Sequence, residues 1–466
     1  MARSKRGEAA ASFPDHGTDK TLFASFLVGA LVVTFLAGAL ASTARIFPGP
    51  QIARAYEGGR AFYYKVTANS DVYHGSDLWR PQRDPRRGVT RLVPERVQPG
   101  ATLYTSGEPS VAYLVAADGK VLHRWHRDFS RIWTRDAPIG NPQPDDHVYF
   151  RAAKLFPNGD LLVVIEGNGD TPYGYAVAKL DRNSRLLWVN HVRAHHDLTV
   201  GADGRIYVLA HEIARQRPRG AHQFAPAWLK DYLVVLSPDG RELTRLSLAD
   251  LLLRSPYARL MDTVTAAATD DPLHANAVQV IGPAAAAKLS FARAGDLLVS
   301  FRELNAIGVV DVERRKLVWA TRGPWQGQHY PVALDNGHLL LFDNLGNYRG
   351  RNGSSRVIEF DPVTMAIVWE YAGTPETPFG SAIRGDQQRL ANGNTLITES
   401  DTGRILEVTA EGDLVWEFRN PARGGKGGNR VAIVNHAQRI AAAQLDPGFL
   451  VLPPHPDHAE TEASVR

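Results

Sequence analysis

One structural unit recurs along this chain, and the repetition restricts the fold more than any other feature of the sequence. Each copy has an Asn-Gly or Asp-Gly turn, an apolar strand, a second strand, and a third strand that usually closes on tryptophan. A fourth strand can come from the link between copies. The copies span residues 110–125, 158–188, 203–246, 295–319, 336–369 and 392–416.

Short antiparallel strands in a repeated unit are typical of a radial arrangement, the β-propeller. A length of 466 residues exceeds one ordinary domain, but repeats avoid that limit because each unit packs only on its neighbours. A solenoid would need a more uniform period. The sequence therefore predicts an all-β, six-bladed β-propeller over 98–420. We expect the closing tryptophans to pack between blades: Trp125, Trp188, Trp319, Trp369 and Trp416.

The N-terminal region predicts a membrane segment. Residues 22–41 carry no charge, and about 20 apolar residues span a bilayer core. Arg3, Lys5, Arg6 and Lys20 precede this run and favour a cytoplasmic N-terminus. A signal-peptidase site at residues 39–41 is the alternative, but the run is longer than the usual apolar core of a signal peptide. A buried core helix is disfavoured because the run has no polar face.

These features divide the chain into five parts. We expect a cytoplasmic polar tail at 1–20, a transmembrane anchor or signal segment at 21–43, and a stalk or lid at 44–97. The catalytic propeller follows at 98–420. A C-terminal extension at 421–466 is expected to close on the propeller and to end in a disordered segment.

Composition excludes several classes of function. The net charge is only +4 and no block of lysine or arginine dominates, so nucleic acid is not an expected partner. The chain has no cysteine, which removes disulfides, thiolate metal sites and cysteine nucleophiles. We also find no HxH or HExxH spacing, and we predict neither a metal nor another cofactor. The loop at 424–428, GGKGG, is not a phosphate-binding Walker A sequence.

Four polar segments stand near the inner strands of the predicted blades. They are AHHD at 194–197, DPLHAN at 271–276, FRELN at 301–305 and QHYP at 328–331. Three of them place a histidine at equivalent positions of different blades. Because inner strands line the central channel of a propeller, we expect these side chains to meet near its axis.

Together these segments resemble the bacterial arylsulfotransferase family over roughly 98–420. The strongest matches are LHANAV, FRELNAI, GNTLITES, and the run from QH to NGHLLLFDN. Members of that family are six-bladed propellers in which a channel histidine attacks the sulfur of an aryl sulfate and becomes sulfohistidine. A phenol then takes the sulfuryl group, and the nucleotide donor PAPS is not used.

The resemblance implies roles for individual residues. It gives catalytic roles to His329 as nucleophile and to His196, His274 and Arg302. It gives substrate contacts to Asn276, His195 and, more loosely, Thr398. Neighbours on a strand point to opposite faces, so only one of His195 and His196 is expected to face the channel, and we favour His196. Asp343 and Asn344 either support His329 or form a turn.

The transfer of a sulfuryl group requires the same types of residue. By analogy with phosphoryl transfer, the group in flight spreads charge over three oxygens. A neutral imidazole can attack the sulfur, while arginine, asparagine and further histidines hold the oxygens. Phenols have pKa values near 10, so the leaving oxygen benefits from a proton donor, and histidine can supply one. Arg302 does not lose its proton and would act as a fixed charge.

The resemblance implies an aryl sulfate donor and a phenol acceptor as partners, besides the membrane. With the N-terminus in the cytoplasm, we expect the propeller on the periplasmic, extracytoplasmic side of a bacterial cell membrane, anchored by a single pass. Two other functions fit a propeller: a non-catalytic, membrane-tethered scaffold of the cell envelope, and a quinoprotein-type dehydrogenase, which usually has eight blades. The chain also departs from enteric periplasmic members, which carry a cysteine pair, and its N-terminal region does not obviously supply the β-sandwich with which some members dimerise.

Overall fold

The computed structural model describes residues 16–44, 46–49, 51, 55, 71–135, 137–347 and 353–449. The chain divides into two units, 1–67 and 68–466. Most of the expected polar tail, much of the expected stalk and the expected disordered end lie outside the described residues.

The first unit contains a single long helix among its described residues, α1 (His16–Thr43). Its segment Thr21–Ala41 has a mean hydropathy of 2.3, and none of it is buried. At a rise of 1.5 Å per residue, such a segment is about 30 Å long, the thickness of a bilayer core. This confirms an apolar N-terminal helix that is long enough to cross a membrane, a property that signal sequences share.

The second unit is built of short strands with three short α-helices, α2 (Val72–Gly75), α3 (Leu248–Leu253) and α4 (Pro283–Ala286). The first strands in chain order are β1 (Trp79–Pro81), β2 (Gly88–Leu92), β3 (Ala101–Ser106), β4 (Val111–Val115), β5 (Val121–His126), β6 (Val148–Leu155), β7 (Leu161–Gly167), β8 (Gly174–Leu180), β9 (Leu186–Asn190), β10 (Ala194–Val200), β11 (Ile206–Ala214), β12 (Trp228–Leu236), β13 (Glu242–Ser247) and β14 (Ala275–Val280). The others are β15 (Leu297–Phe301), β16 (Ala306–Asp311), β17 (Lys316–Arg322), β18 (His329–Ala333), β19 (Leu339–Asp343), β20 (Arg356–Phe360), β21 (Ile367–Tyr371), β22 (Asp386–Arg389), β23 (Thr395–Glu399), β24 (Arg404–Val408), β25 (Leu414–Arg419), β26 (Arg423–Gly424), β27 (Arg430–Ala432) and β28 (Val434–Ile440).

The strands form six antiparallel sheets of four or five strands in the described part of the chain, and one small sheet of β1, β27 and β26. Four sheets run consecutively: β6 to β9, β10 to β13, β14 to β17 and β18 to β21. A fifth has the order β2-β25-β24-β23-β22, and the sixth has the order β28-β3-β4-β5. The unit is therefore all-β and propeller-like. The link between sequence copies supplies the first strand of the consecutive sheets.

Turn chemistry and burial explain this pattern. Gly337 of the Asn-Gly turn between β18 and β19 has φ +88°, and a Cβ there would lie 2.5 Å from the Cβ of Lys288, so this turn requires glycine. Central strands such as β7 are buried along their whole length, because the sheet of β6 to β9 packs against hydrophobic clusters on both faces. Six hydrophobic clusters fill the spaces between successive sheets.

The closing tryptophans lie between sheets, as the sequence predicts. The indole Nε1 of Trp125 in β5 donates to the carbonyl of Gly159, which lies in the turn between β6 and β7, at 3.1 Å. Trp369 donates to Ala410 at 2.8 Å, and Trp416 to Ala117 at 2.8 Å. Each of these three indoles thereby ties the outer part of its own sheet to a turn of the next one.

The segment before residue 98 also contributes strands. β2 pairs with β25, and β1 pairs with β27. On the C-terminal side, β28 pairs with β3, so strands from beyond residue 420 and from residues 101–106 share one sheet.

Candidate active site

Six edge strands, one from each large sheet, bring polar residues together. They are β6, β10, β14, β18, β22 and β28, and each contacts at least one other member of the group. The segment AHHD lies within β10, DPLHAN and QHYP run into the starts of β14 and β18, and FRELN follows at the end of β15. The pairing register shifts at His195/Leu198, Ala275/Ala277 and His329/Val332. Such bulges turn extra side chains toward one point.

All six of these strands or the residues beside them contribute to one small cavity of about 10 Å³, which has room for about one water molecule. Its lining residues are Arg151, Ala152, His196, Asp197, Asn276, His329, Tyr330, Gly385, Asp386, Asn435 and His436. His196 and Tyr330 have φ values of +57° and +51°, in the left-handed region that non-glycine residues seldom occupy. Backbone strain of this kind collects at functional sites.

His329 faces this cavity from the start of β18 and is buried. Its Nδ1 lies 2.8 Å from Oδ1 of Asn344 and 3.0 Å from the carbonyl of Gly327. Nδ2 of Asn344 donates to the carbonyls of Ser381 and Arg384, which leaves its Oδ1 as the acceptor for His329. Nδ1 must therefore carry the proton, so the lone pair of the neutral ring is on Nε2.

The protonation state of His329 is also set by its surroundings. Burial lowers its pKa well below the usual value, and the charges of Arg302 and Arg151 act in the same direction. The hydrogen bond to Asn344 opposes these effects without outweighing them. His329 is therefore a neutral imidazole whose free nitrogen is available as a nucleophile.

His196 lines the cavity, whereas His195 lies behind it. Nδ1 of His195 is 2.8 Å from Nδ1 of His196, and Nε2 of His195 is 3.3 Å from Oδ1 of Asp231. A proton on Nε2 of His195, facing the carboxylate, makes its Nδ1 the acceptor, so His196 donates through Nδ1 and keeps a lone pair on Nε2. Burial, with the charges of neighbouring histidines and Arg151, lowers the pKa of His196 well below its usual value.

His274 and Asn276 flank His196 from β14 and the residue before it. Rings of His274 and His196 meet edge to face with centroids 4.9 Å apart. Nδ1 of His274 is 2.6 Å from Oδ2 of Asp271; burial works to lower the pKa of His274, but the charge of Asp271 outweighs it and raises the pKa. Asn276 donates to the carbonyl of Gln328 at 2.8 Å, and its buried Oδ1 has no partner.

The structure does not bring Arg302 and Thr398 to the cavity lining. The guanidinium of Arg302 forms an ion pair with Glu303. Its positive charge is one of the effects that act to lower the pKa of His329 and of His274. Thr398 lies on β23 beside Asp386 of β22, one strand away from the cavity, and its buried hydroxyl has no partner. The roles assigned to these two residues stay predictions.

Sequence reasoning missed Arg151, Asp197, Asp386 and His436, all of which line the cavity. Arg151 places a guanidinium there and donates to the carbonyl of Asn435 at 3.0 Å. A signal was present, because each of these residues sits where a link enters its sheet, as His196 and His329 do. The motifs that carry the family resemblance lie elsewhere, so nothing drew attention to the links of β6, β22 and β28.

Asp197 is a buried carboxyl with three N–H donors, from Leu198, Val278 and Gln279. Burial nevertheless raises its pKa to about 7, against those hydrogen bonds and the charges of His436 and Arg151. Since an unfolded aspartate has a pKa of about 3.9, the folded state holds the proton more tightly. Stability from this group is fully present below pH 4 and declines as the pH rises to 7.

We therefore expect Asp197→Asn to gain stability relative to the wild type as the pH rises from about 4 to about 7, by up to about 1.4 kcal/mol per pH unit. Urea unfolding at several pH values measures the difference. Asp335→Asn, at an exposed turn aspartate, is the matched control and should follow the wild type. A difference that does not change with pH would show that Asp197 is ionised throughout this range.

One trio of potential metal ligands lies together within the described residues: His195, His211 and Asp231. Nε2 of His211 accepts a hydrogen bond from the N–H of Gly174 at 2.9 Å, so the ring proton is on Nδ1. A cation bound at Nδ1 would displace the ring proton to Nε2, where it would face the N–H of Gly174, a second donor. Nδ1 of His195 faces His196, and its Nε2 faces Asp231 of the same trio. The trio fits a hydrogen-bonded cluster better than a cation site.

Comparison with known proteins adds one strong match. The arylsulfotransferase (ASST) family profile matches residues 152–421, more than half of the chain. This range begins in β6 and ends just after β25, so it contains four of the six strands around the cavity and part of a fifth. No curated protein sequence matches the chain.

Solved structures give only distant likenesses. A protein of unknown function from Bacteroides caccae is 12% identical, with a TM-score of 0.45, over 73% of this chain and 98% of that one. A catalytically inactive virginiamycin B lyase from Staphylococcus aureus is 12% identical, with a TM-score of 0.35, over 59% of this chain and 71% of that one. These scores support no argument about function. The family profile, whose range contains His196, His274 and His329, is the match that assigns the chain, which belongs to the arylsulfotransferase family.

Proposed function

We propose that this protein is an arylsulfotransferase that moves a sulfuryl group from an aryl sulfate ester to a phenol without PAPS, through a sulfohistidine at His329. One observation carries the proposal. Asn344 and Gly327 hold the proton of His329 on Nδ1, while burial keeps the ring neutral, so that Nε2 offers its lone pair at the cavity. That is the form of histidine that nucleophilic transfer requires.

In the first half-reaction Nε2 of His329 attacks the sulfur, an N–S bond forms, and the S–O bond to the aryl group breaks. In the second, a phenol oxygen attacks the same sulfur and the N–S bond breaks, which restores His329. Negative charge spread over the three sulfuryl oxygens needs fixed donors. Arg151 and Asn276 line the cavity and supply them, and His274 and Arg302 add positive charge nearby.

We further propose that the six large sheets are the blades of a closed six-bladed propeller with this cavity at its centre. Support comes from the six hydrophobic clusters between successive sheets and from the pairing of β28 with β3. In this proposal α1 anchors the chain in a bacterial cell membrane, and the basic residues before it keep the N-terminus in the cytoplasm. The propeller then lies on the periplasmic side.

The test uses the full chain in detergent, with 4-nitrophenyl sulfate as donor, a phenol as acceptor and no PAPS. We expect nitrophenolate release that depends on the acceptor, a sulfated phenol as product, and ping-pong kinetics. Release without an acceptor would indicate a hydrolase instead. No reaction from a folded protein across a panel of aryl sulfates and phenols would favour a non-catalytic scaffold.

Replacing Asn344 tests whether the orientation and tautomer of the His329 ring matter, because the imidazole itself is kept. Asn344→Leu removes the closer of the two acceptors that hold the proton on Nδ1 and leaves only the carbonyl of Gly327, so Nε2 can become the protonated nitrogen more often. We expect kcat to fall on the order of 10²- to 10⁴-fold, the upper end being the effect of a wrong imidazole tautomer in a serine protease. Asn347→Leu, at a half-buried asparagine that does not line the cavity, is the control and should retain activity. Comparable activity in both variants would contradict the assignment.

A further inference from the structure

A second histidine–carboxylate pair lines the same cavity. Nδ1 of His436 in β28 is 2.6 Å from Oδ2 of Asp386 in β22, and both side chains are buried. The same oxygen accepts the backbone N–H of Ala437 at 3.2 Å, which holds the carboxylate in place. Nδ1 of His436 therefore carries a proton, and its Nε2 is the nitrogen left for a ligand in the cavity.

The other groups around the cavity are poorly suited to carry a proton to and from a phenol oxygen; both carboxylate oxygens of Asp197, for example, already accept N–H donors. Burial raises the pKa of Tyr330 well above its usual value, so its hydroxyl stays protonated, and Arg151 does not deprotonate. His329 is the nucleophile. Burial, with the charges of neighbouring histidines and Arg151, lowers the pKa of His196, and the one proton of its neutral ring is on Nδ1, donated to His195, so its Nε2 has no proton to give.

His436 has a different environment, because the carboxylate of Asp386 lies against its Nδ1. The aspartate of a catalytic triad is placed in the same way and stabilises the imidazolium that forms on its histidine during the reaction. Charged and titratable groups facing the pair include Asp386 itself, Asp197, Tyr330 and Arg151. An imidazolium that is held by one carboxylate and opens on the cavity can donate a proton and recover it.

We propose that His436, oriented by Asp386, is the proton relay for the phenol oxygen in both half-reactions; this rests on the proposed function. When the S–O bond of the donor breaks, its electron pair goes to the aryl oxygen, which takes the proton from Nε2 of His436. In the second half-reaction Nε2 takes the proton of the acceptor phenol as the phenol oxygen bonds to sulfur. The electron pair of the N–S bond returns to His329.

The relay has a signature that a structural role lacks. A nitrophenolate leaves without needing a proton, whereas an unsubstituted phenolate does need one. We expect His436→Gln to lower the single-turnover rate of sulfuryl transfer from phenyl sulfate to the enzyme by about 10²- to 10³-fold, within the range of general acid catalysis. With 4-nitrophenyl sulfate as donor, the same variant should lose less than about tenfold.

Asp386→Asn tests the residue that positions His436, and it provides a second variant in case His436→Gln does not fold. It should give the same dependence on the leaving group with a smaller loss. His338→Gln is the matched control, because Nδ1 of His338 lies 2.8 Å from Oε1 of Glu359 in a comparable pair that does not line the cavity. It should react with both donors like the wild type.

Losses that are equal for the two donors, or the absence of any loss in either cavity variant, would overturn the relay. Either result leaves the proposed function standing as long as the wild type transfers the sulfuryl group and His329 becomes labelled. If the wild type itself transfers nothing from 4-nitrophenyl sulfate, the proposed function fails first. The thermal unfolding midpoint of each variant shows whether it is folded.

Discussion

His329→Ala is expected to reduce sulfuryl transfer by about 10⁴- to 10⁶-fold, the range seen when a covalent nucleophile is removed. The residual cavity still offers Arg151 and Asn276 to the sulfate, so binding of the donor should survive better than turnover. The measurement is pre-steady-state release of nitrophenolate together with mass spectrometry of the protein. Wild-type protein treated with donor alone should gain one SO₃ group on the peptide that contains His329, and the variant should not.

Rescue experiments sharpen this result. His329→Gly leaves space for free imidazole, and added imidazole should restore release of nitrophenolate while it becomes sulfated itself. The control variant His338→Gly replaces a histidine outside the cavity. It should release nitrophenolate without imidazole, and added imidazole should not change the rate. If His329→Ala still acquires the label, another nucleophile carries the reaction, and His196, whose Nε2 keeps a lone pair, is the next residue to replace.

The second large effect is expected in stability. Arg404 in β24 is buried between two carboxylates: Nε lies 2.6 Å from Oε2 of Glu399, and Nη1 lies 3.3 Å from Oε1 of Glu417. Arg404→Met leaves Glu399 buried without a cation, since the neighbouring Thr402 and Gly380 give it only hydrogen bonds. Removing one partner of a buried ion pair costs about 3–5 kcal/mol in the free energy of unfolding.

Urea denaturation of the full chain measures this loss. The double variant Arg404→Met/Glu399→Gln removes the uncompensated charge and should recover part of the stability. Arg205→Met is the matched control, because Arg205 pairs with Glu313 at 2.7 Å on the surface, where such pairs contribute less than about 1 kcal/mol. Equal losses for Arg404→Met and Arg205→Met would mean that burial adds nothing to the ion pair.

Local chemistry made most of the sheet structure predictable. The turn at Gly337 requires glycine, and the apolar run of β7 matches a strand that is covered on both faces, so both can be read from neighbouring residues. The three tryptophans that donate across sheets were predictable because an indole at the end of each repeat has only a neighbouring repeat to pack on. The strand β22, with the polar sequence DQQR, gives no such local signal.

The site was predictable only in part, for a geometric reason. His329, His196 and Asn276 were found through motifs, and the structure brings all three to one cavity. Arg302 was predicted to be the cation of the site, but Arg151 lines the cavity instead. Arg151 lies at the register shift between Phe150 and Ala152. A bulge changes which face a side chain takes, and alternation of polar and apolar residues does not reveal where a bulge will occur.

The sheet that combines β28 with β3 has a consequence for the order of events during synthesis. β3 leaves the ribosome more than 300 residues before β28 is made, and until then its edge lacks a partner strand. A chain that stops before residue 434 lacks both this strand and His436. The cavity is therefore completed last, and chains that stop earlier lack the residues with which β28 lines it.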